Sequence, residues 1–229
     1  MTDHQIEDVA RQLICVGNRA MAMERYILRR AWGIYYAIWA LAILLFIYIP
    51  NILNPIRQPI FQDVAFGISY GIIIAAASYF SGFVFSRAAM ASKLQKSLSR
   101  VHSKSLKDGV LKYALLAALI LMVVLLATGI FKTFDGVLFE AVTLGLVAIF
   151  VYRFVSQSMG RVPFEAIIAI GMFVLSDVVG TISVIITRGG TYYAYAWIPT
   201  VAVWLLASVL SFVNAGDELL QNLNAEECS

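Results

Sequence analysis

The residue whose type and position most suggest chemistry is Asp177. It lies about thirteen residues into an apolar run, Phe164–Ile186, that holds no Lys, Arg or His. At 1.5 Å per helical residue that is roughly 20 Å from the start of the run. An acid near the middle of a bilayer costs at least about 2.5–3.5 kcal/mol to insert. It must therefore be protonated, hydrogen-bonded, or turned toward water or a ligand. Thr181 is one helical turn on and shares its face, and Gly180 leaves room for a neighbouring helix. Two readings follow: a cation, proton or substrate site built on Asp177 and Thr181, or a neutral acid bonded to a hydroxyl on another helix.

Two further acids border apolar runs. Glu140 is within one turn of the end of its run, where water can reach it, and is a weaker ion-site candidate. Glu165 opens the run that contains Asp177 and stands near Arg161 and Arg153, so it reads as an interfacial ion pair. Glu165 and Asp177 are twelve residues apart. On an ideal helix that is about 120° round the axis and about 18 Å along it, which excludes a catalytic carboxylate pair.

Gly67-Ile68-Ser69-Tyr70-Gly71 fits G-x-S-x-G, the nucleophile-elbow pattern. That pattern needs a strand–turn–helix setting and a histidine in reach. Here it lies inside an apolar run near the expected outer face, and the two histidines, His4 and His102, fall on the expected cytoplasmic side. Packing is the better account. Gly67, Gly71, Ala75, Ser78 and Gly82 make a stripe of small residues along which another helix can approach. Ser78, Ser81 and Tyr70 can line a cavity from the same helix. There is no P-loop, HExxH or metal-ligand cluster, and no cofactor or metal is expected. Cys15 and Cys228 make no disulfide framework and read as ordinary thiols. With no nucleophile–base pair visible, the chain is not expected to be an enzyme.

The elements that carry these residues follow from composition. Of 229 residues 61% are hydrophobic and 14% charged, with a mean hydropathy of +0.82. Soluble domains carry about 25% charged residues, so the chain reads as a polytopic membrane protein. Six runs approach the roughly 20 apolar residues a spanning helix needs: 31–53, 64–85, 110–131, 137–154, 164–186 and 196–213. None alternates polar and apolar as barrel strands do. The expected fold is all-α, a bundle of six transmembrane helices (31–213) with a cytoplasmic amphipathic helix at 1–30, a basic cytoplasmic loop at 86–109 and an acidic tail at 214–229. Pro199 is expected to kink the sixth span.

Charge orients the bundle. Fourteen of the seventeen Lys and Arg fall on the side of the two termini, and Arg57, Lys132 and Arg188 fall on the other. The positive-inside rule then puts both termini in the cytoplasm, with the plasma membrane as the expected location. Trp32, Tyr35 and Tyr36 at one border and Tyr192, Tyr193, Tyr195 and Trp197 at the other suit the membrane–water interface.

The N-terminal segment has a strict period. Ile6, Val9, Leu13, Val16, Ala20, Met23 and Ile27 alternate steps of three and four, with every seam position apolar. That is the pattern of a helix packing along one partner helix. The partner is either the chain's own basic stretch, a second copy in a homodimer, or a cytosolic protein. The cations of 93–107 also suit anionic lipid headgroups, and nucleic acid is not expected because no recognition fold is visible. The resulting expectation is a non-enzymatic membrane subunit, a small permease or the anchor of a complex, docking a partner through its N-terminal helix. The alternative is a stand-alone proton- or cation-coupled transporter or channel that uses Asp177.

Overall fold

The computed structural model describes residues 3–53, 55, 58–96, 134–187 and 191–225. The expected third span at 110–131 and the basic stretch from residue 97 lie outside them. The described residues form helices without strands: α1 Asp3–Leu53, α2 Pro59–Lys96, α3 Phe134–Met159, α4 Phe164–Thr187, α5 Thr191–Ala196 and α6 Ile198–Ala225. Five of them, all but α5, are long and apolar enough to cross a membrane.

Helical structure runs past the expected borders. α1 is one helix of 51 residues from the N-terminal segment through the first apolar run. α2 continues beyond Phe85 to Lys96, into the expected loop, and α6 continues through the acidic segment to Ala225. Polarity changes at those borders, but nothing there stops a helix: no Pro or Gly falls between Phe85 and Lys96. Pro199 does not kink a span. It occupies the first turn of α6, where its missing N–H would have had no partner, and Trp197 forms the turn that separates α5 from α6. Pro50 does fall inside a helix, near the end of α1. It frees the carbonyl of Phe46 four residues back, and the Tyr70 hydroxyl of α2 donates to that carbonyl at 3.4 Å.

α1 is the centre of the bundle. It packs most extensively on α6 and α2, while α4 packs on α3, α6 and α5. Close approach of α1 and α6 depends on Gly33. A Cβ there would stand 3.1 Å from the Phe212 ring and 3.2 Å from the carbonyl oxygen of Ser208. The core is small residues plus aromatics: Trp32, Tyr36, Ala40, Ile43, Val155, Ala166, Ala169, Trp204 and Ala207. Polarity is distributed inside-out relative to a soluble protein. Glu165, Ser176, Asp177, Thr181, Thr200, Ser208 and Ser211 are buried, while Leu41, Ile72, Phe80, Leu146, Ile186 and Leu206 are exposed. Apolar side chains covering the outside of five long helices suit a hydrocarbon surround, not water.

Cys15 is disulfide-bonded, which corrects the reading of two ordinary thiols. The other cysteine, Cys228, lies outside the described residues.

Candidate functional site

Buried polar groups meet at two levels of α4. The first is at the start of that helix. α3 ends at Gly160, whose φ of 71° is the left-handed conformation that glycine adopts freely. Pro163 then precedes α4 and its carbonyl accepts from the amides of Ala166 and Ile167. This short connection sets Glu165 in the first turn of α4, where the helix dipole favours an acid.

Glu165 is 1% exposed and is clasped by Arg29 of α1. Arg29 Nε donates to Oε1 at 2.8 Å and Nη2 donates to Oε2 at 3.2 Å. Asn214 of α6 donates to the same Oε2 at 3.4 Å. The third guanidinium nitrogen of Arg29 donates to Glu218 of α6 at 2.7 Å, and Arg25 stands 4.0 Å from that carboxylate. The Ser211 hydroxyl donates to the backbone carbonyl of Arg29 at 2.7 Å. One arginine therefore ties α1, α4 and α6 together through two carboxylates, with a bidentate grip on the buried one. The expected partners of Glu165 were Arg161 and Arg153. Both are exposed, and the arginine that holds Glu165 comes from α1. The sequence signal that points to it is level: Arg29 lies two residues before the first apolar run, and Glu165 is the second residue of the fifth.

The second level is in the middle of α4. Asp177 is 5% exposed and neighbours Ser176, at 1%. Thr200 of α6 lies 2.6 Å from Ser176 Oγ and 3.2 Å from the carbonyl oxygen of Met172. One turn toward the basic end, Trp204 Nε1 donates to the carbonyl of Ala169 at 2.7 Å. Thr181 is buried beside Asp177, and its hydroxyl has no hydrogen-bond partner among the described residues. Gly180 admits the Tyr193 ring of α5: a Cβ at Gly180 would lie 2.8 Å from its Cδ2. The structure thus places Asp177 and Thr181 on one buried face. Glu140 lies on α3, with its side chain outside the described residues.

The remaining sequence candidates fall elsewhere. Ser69 sits mid-helix in α2, with helix on both sides of it. Of the small-residue stripe, Gly67 is buried, Gly71 and Ser78 are half-buried, and Ala75 and Gly82 are exposed. The buried line of α2 runs through Gly67, Ile74, Ala77, Ser81 and Ala88. On the N-terminal seam, Val16 and Met23 are 65% and 45% exposed, and Ala20 and Ile27 are half-buried. The side chains of Ile6, Val9 and Leu13 lie outside the described residues. A half-open cleft of about 220 Å³ separates α1 from the end of α3, lined by Arg25, Leu28, Ser158 and Met159 among others. That is below the roughly 300–1,000 Å³ of ordinary small-molecule sites.

No protein family, no curated protein and no solved structure matches the chain.

Proposed function

We propose that the protein is a non-enzymatic subunit of a membrane assembly that docks a partner protein along the N-terminal half of α1. The observation that supports this is the length of α1 together with a seam that is exposed at Val16 and Met23 and half-buried at Ala20 and Ile27. At 51 residues the helix measures about 76 Å, against about 30 Å of hydrocarbon. The excess carries a seam with Val16 and Met23 exposed. Arg29 anchors the base of this extension to α4 and α6, so the extension leaves the bundle in a fixed direction. The charge distribution supports an orientation with both termini cytoplasmic, the extension then reaching into the cytosol.

The test is purification from native membranes in mild detergent, with intact-mass analysis of what accompanies the chain. A stoichiometric partner is expected. It should be lost on deletion of residues 2–27 and on the milder Val16→Glu/Met23→Glu pair, which alters exposed positions and leaves the bundle folded. Retention of the partner in both variants would overturn the reading.

A second reading is favoured by the buried Thr181 hydroxyl beside Asp177: proton- or cation-coupled transport through that face. In reconstituted vesicles it requires Asp177→Asn to abolish pH-dependent flux.

A further inference from the structure

The flanks of the α1 seam point to its occupant, and we propose that it is a second copy of this chain, bound in parallel. This rests on the docking reading above and names the partner. In the heptad frame set by Ile6, Leu13, Ala20 and Ile27 at one core position and Val9, Val16 and Met23 at the other, Arg19 and Glu24 occupy the two flanking positions. In a parallel coiled coil such a residue faces, across the interface, the flanking residue five places further on in the partner. Arg19 and Glu24 are five places apart and opposite in charge. Two-fold symmetry makes the pair twice, once on each side of the seam.

The membrane supplies the orientation. Two copies inserted with the same topology carry their α1 helices parallel, the arrangement in which this pairing works. The heptad frame also does not stop at the border. Continued into the apolar run it meets Arg30, which bonds Tyr26 and covers the Phe212 ring at the border, then Ile34, Leu41, Leu44 and Tyr48, all exposed, with the half-buried Ala37 among them. Folding of the single chain uses a different line of α1, through Ala22, Arg29, Tyr36, Ala40 and Ile43, which are buried or half-buried. Self-pairing therefore takes a face on which folding leaves Val16, Met23, Ile34, Leu41, Leu44 and Tyr48 exposed and Ala20, Ile27 and Ala37 half-buried. Arg19 and Glu24 each interact within their own chain as well, so pairing across copies adds to those interactions or replaces them.

The experiment uses the full chain in mild detergent and in lipid nanodiscs, with mass read as a function of concentration. The wild type is expected to be a dimer. Arg19→Glu or Glu24→Arg alone should raise the dissociation constant about tenfold, since each turns two attractions into repulsions. The double reversal should restore the wild-type value. In a Cys15→Ser/Cys228→Ser background, Val16→Cys and Met23→Cys should cross-link copies, and Met21→Cys, exposed but off the seam, should not. A monomer that carries a stoichiometric foreign protein, lost with residues 2–27, overturns self-pairing and leaves the docking reading standing. A lone monomer overturns both. A double reversal that fails to restore pairing, or Met21→Cys cross-linking as well as Val16→Cys, overturns the parallel register.

Discussion

Glu165 and Asp177 are two acids on one helix, buried to nearly the same degree, and the chain treats them differently. Glu165 lies at the start of α4, and Arg29 and Asn214 reach it from two other helices. Asp177 lies mid-helix among hydroxyls and a glycine, with no Lys, Arg or His in its apolar run. The first position is near a border where a cation can be supplied without crossing hydrocarbon. The second is at a depth where a cation would itself cost about 2.5–3.5 kcal/mol or more. A buried charge is thus balanced by charge at the border, whereas the apolar run around the deep acid holds no cation of its own.

The largest expected effect tests the border half of this contrast. Arg29→Met leaves Glu165 buried without its cation and removes one ligand of Glu218. Breaking one side of a buried pair costs about 3–5 kcal/mol, read as a large loss of thermal stability in detergent. The double variant Arg29→Met/Glu165→Leu should recover most of that loss, because the uncompensated charge goes with its partner. A single variant as stable as the wild type would show that Glu165 is held neutral, and the contrast with Asp177 would disappear.

Next in size is the packing beside Asp177. Gly180→Val places two methyl groups where the Tyr193 ring now sits. Overpacking of this kind costs about 1–3 kcal/mol, and Gly180→Val/Tyr193→Ala should be more stable than Gly180→Val alone. If Gly180→Val is tolerated without Tyr193→Ala, α5 moves freely and does not close over the Asp177 face.

The sequence made one half of this contrast visible and hid the other. Hydropathy alone located Asp177, Thr181 and Gly180 on one face, because those residues are near neighbours along a single helix. It could not place Arg29 against Glu165, a contact across 136 residues that depends on which helices adjoin. Proximity in sequence favoured Arg161 and Arg153 instead. The runs at 31–53, 64–85, 137–154, 164–186 and 196–213 each fall within or across a long helix, since apolar length is a property a single segment carries. Helix ends were less legible: polarity changes where the membrane stops, while the backbone hydrogen bonds of α1, α2 and α6 continue beyond it. The role of Pro199 was misplaced for a related reason. Proline reads equally as a kink within a helix or as the start of one, and the turn at Trp197 decides between them.

The depth half of the contrast is probed by Asp177→Asn, which keeps the shape and removes the ionisable proton. If dipoles accommodate the acid, the change in stability stays below about 1 kcal/mol, well under the cost at Arg29. A loss comparable to Arg29→Met would mean that Asp177 is charged and balanced, and would favour the cation-coupled reading.

The smallest effect belongs to the neutral bond at the same depth. Thr200→Val keeps the side-chain shape and removes the hydroxyl that lies 2.6 Å from Ser176 and 3.2 Å from the Met172 carbonyl. Hydrogen bonds between transmembrane helices average about 0.6 kcal/mol and reach about 1.7 kcal/mol at most. Ser176 is fully buried but can turn its hydroxyl to a carbonyl of its own helix, as Ser183 does to Gly180 at 2.7 Å. That local alternative keeps the expected cost near the average. A Thr200→Val loss well above it would mean that Ser176 has no such alternative. The α4–α6 contact at the level of Asp177 would then be held as firmly by a pair of hydroxyls as the border is by an arginine.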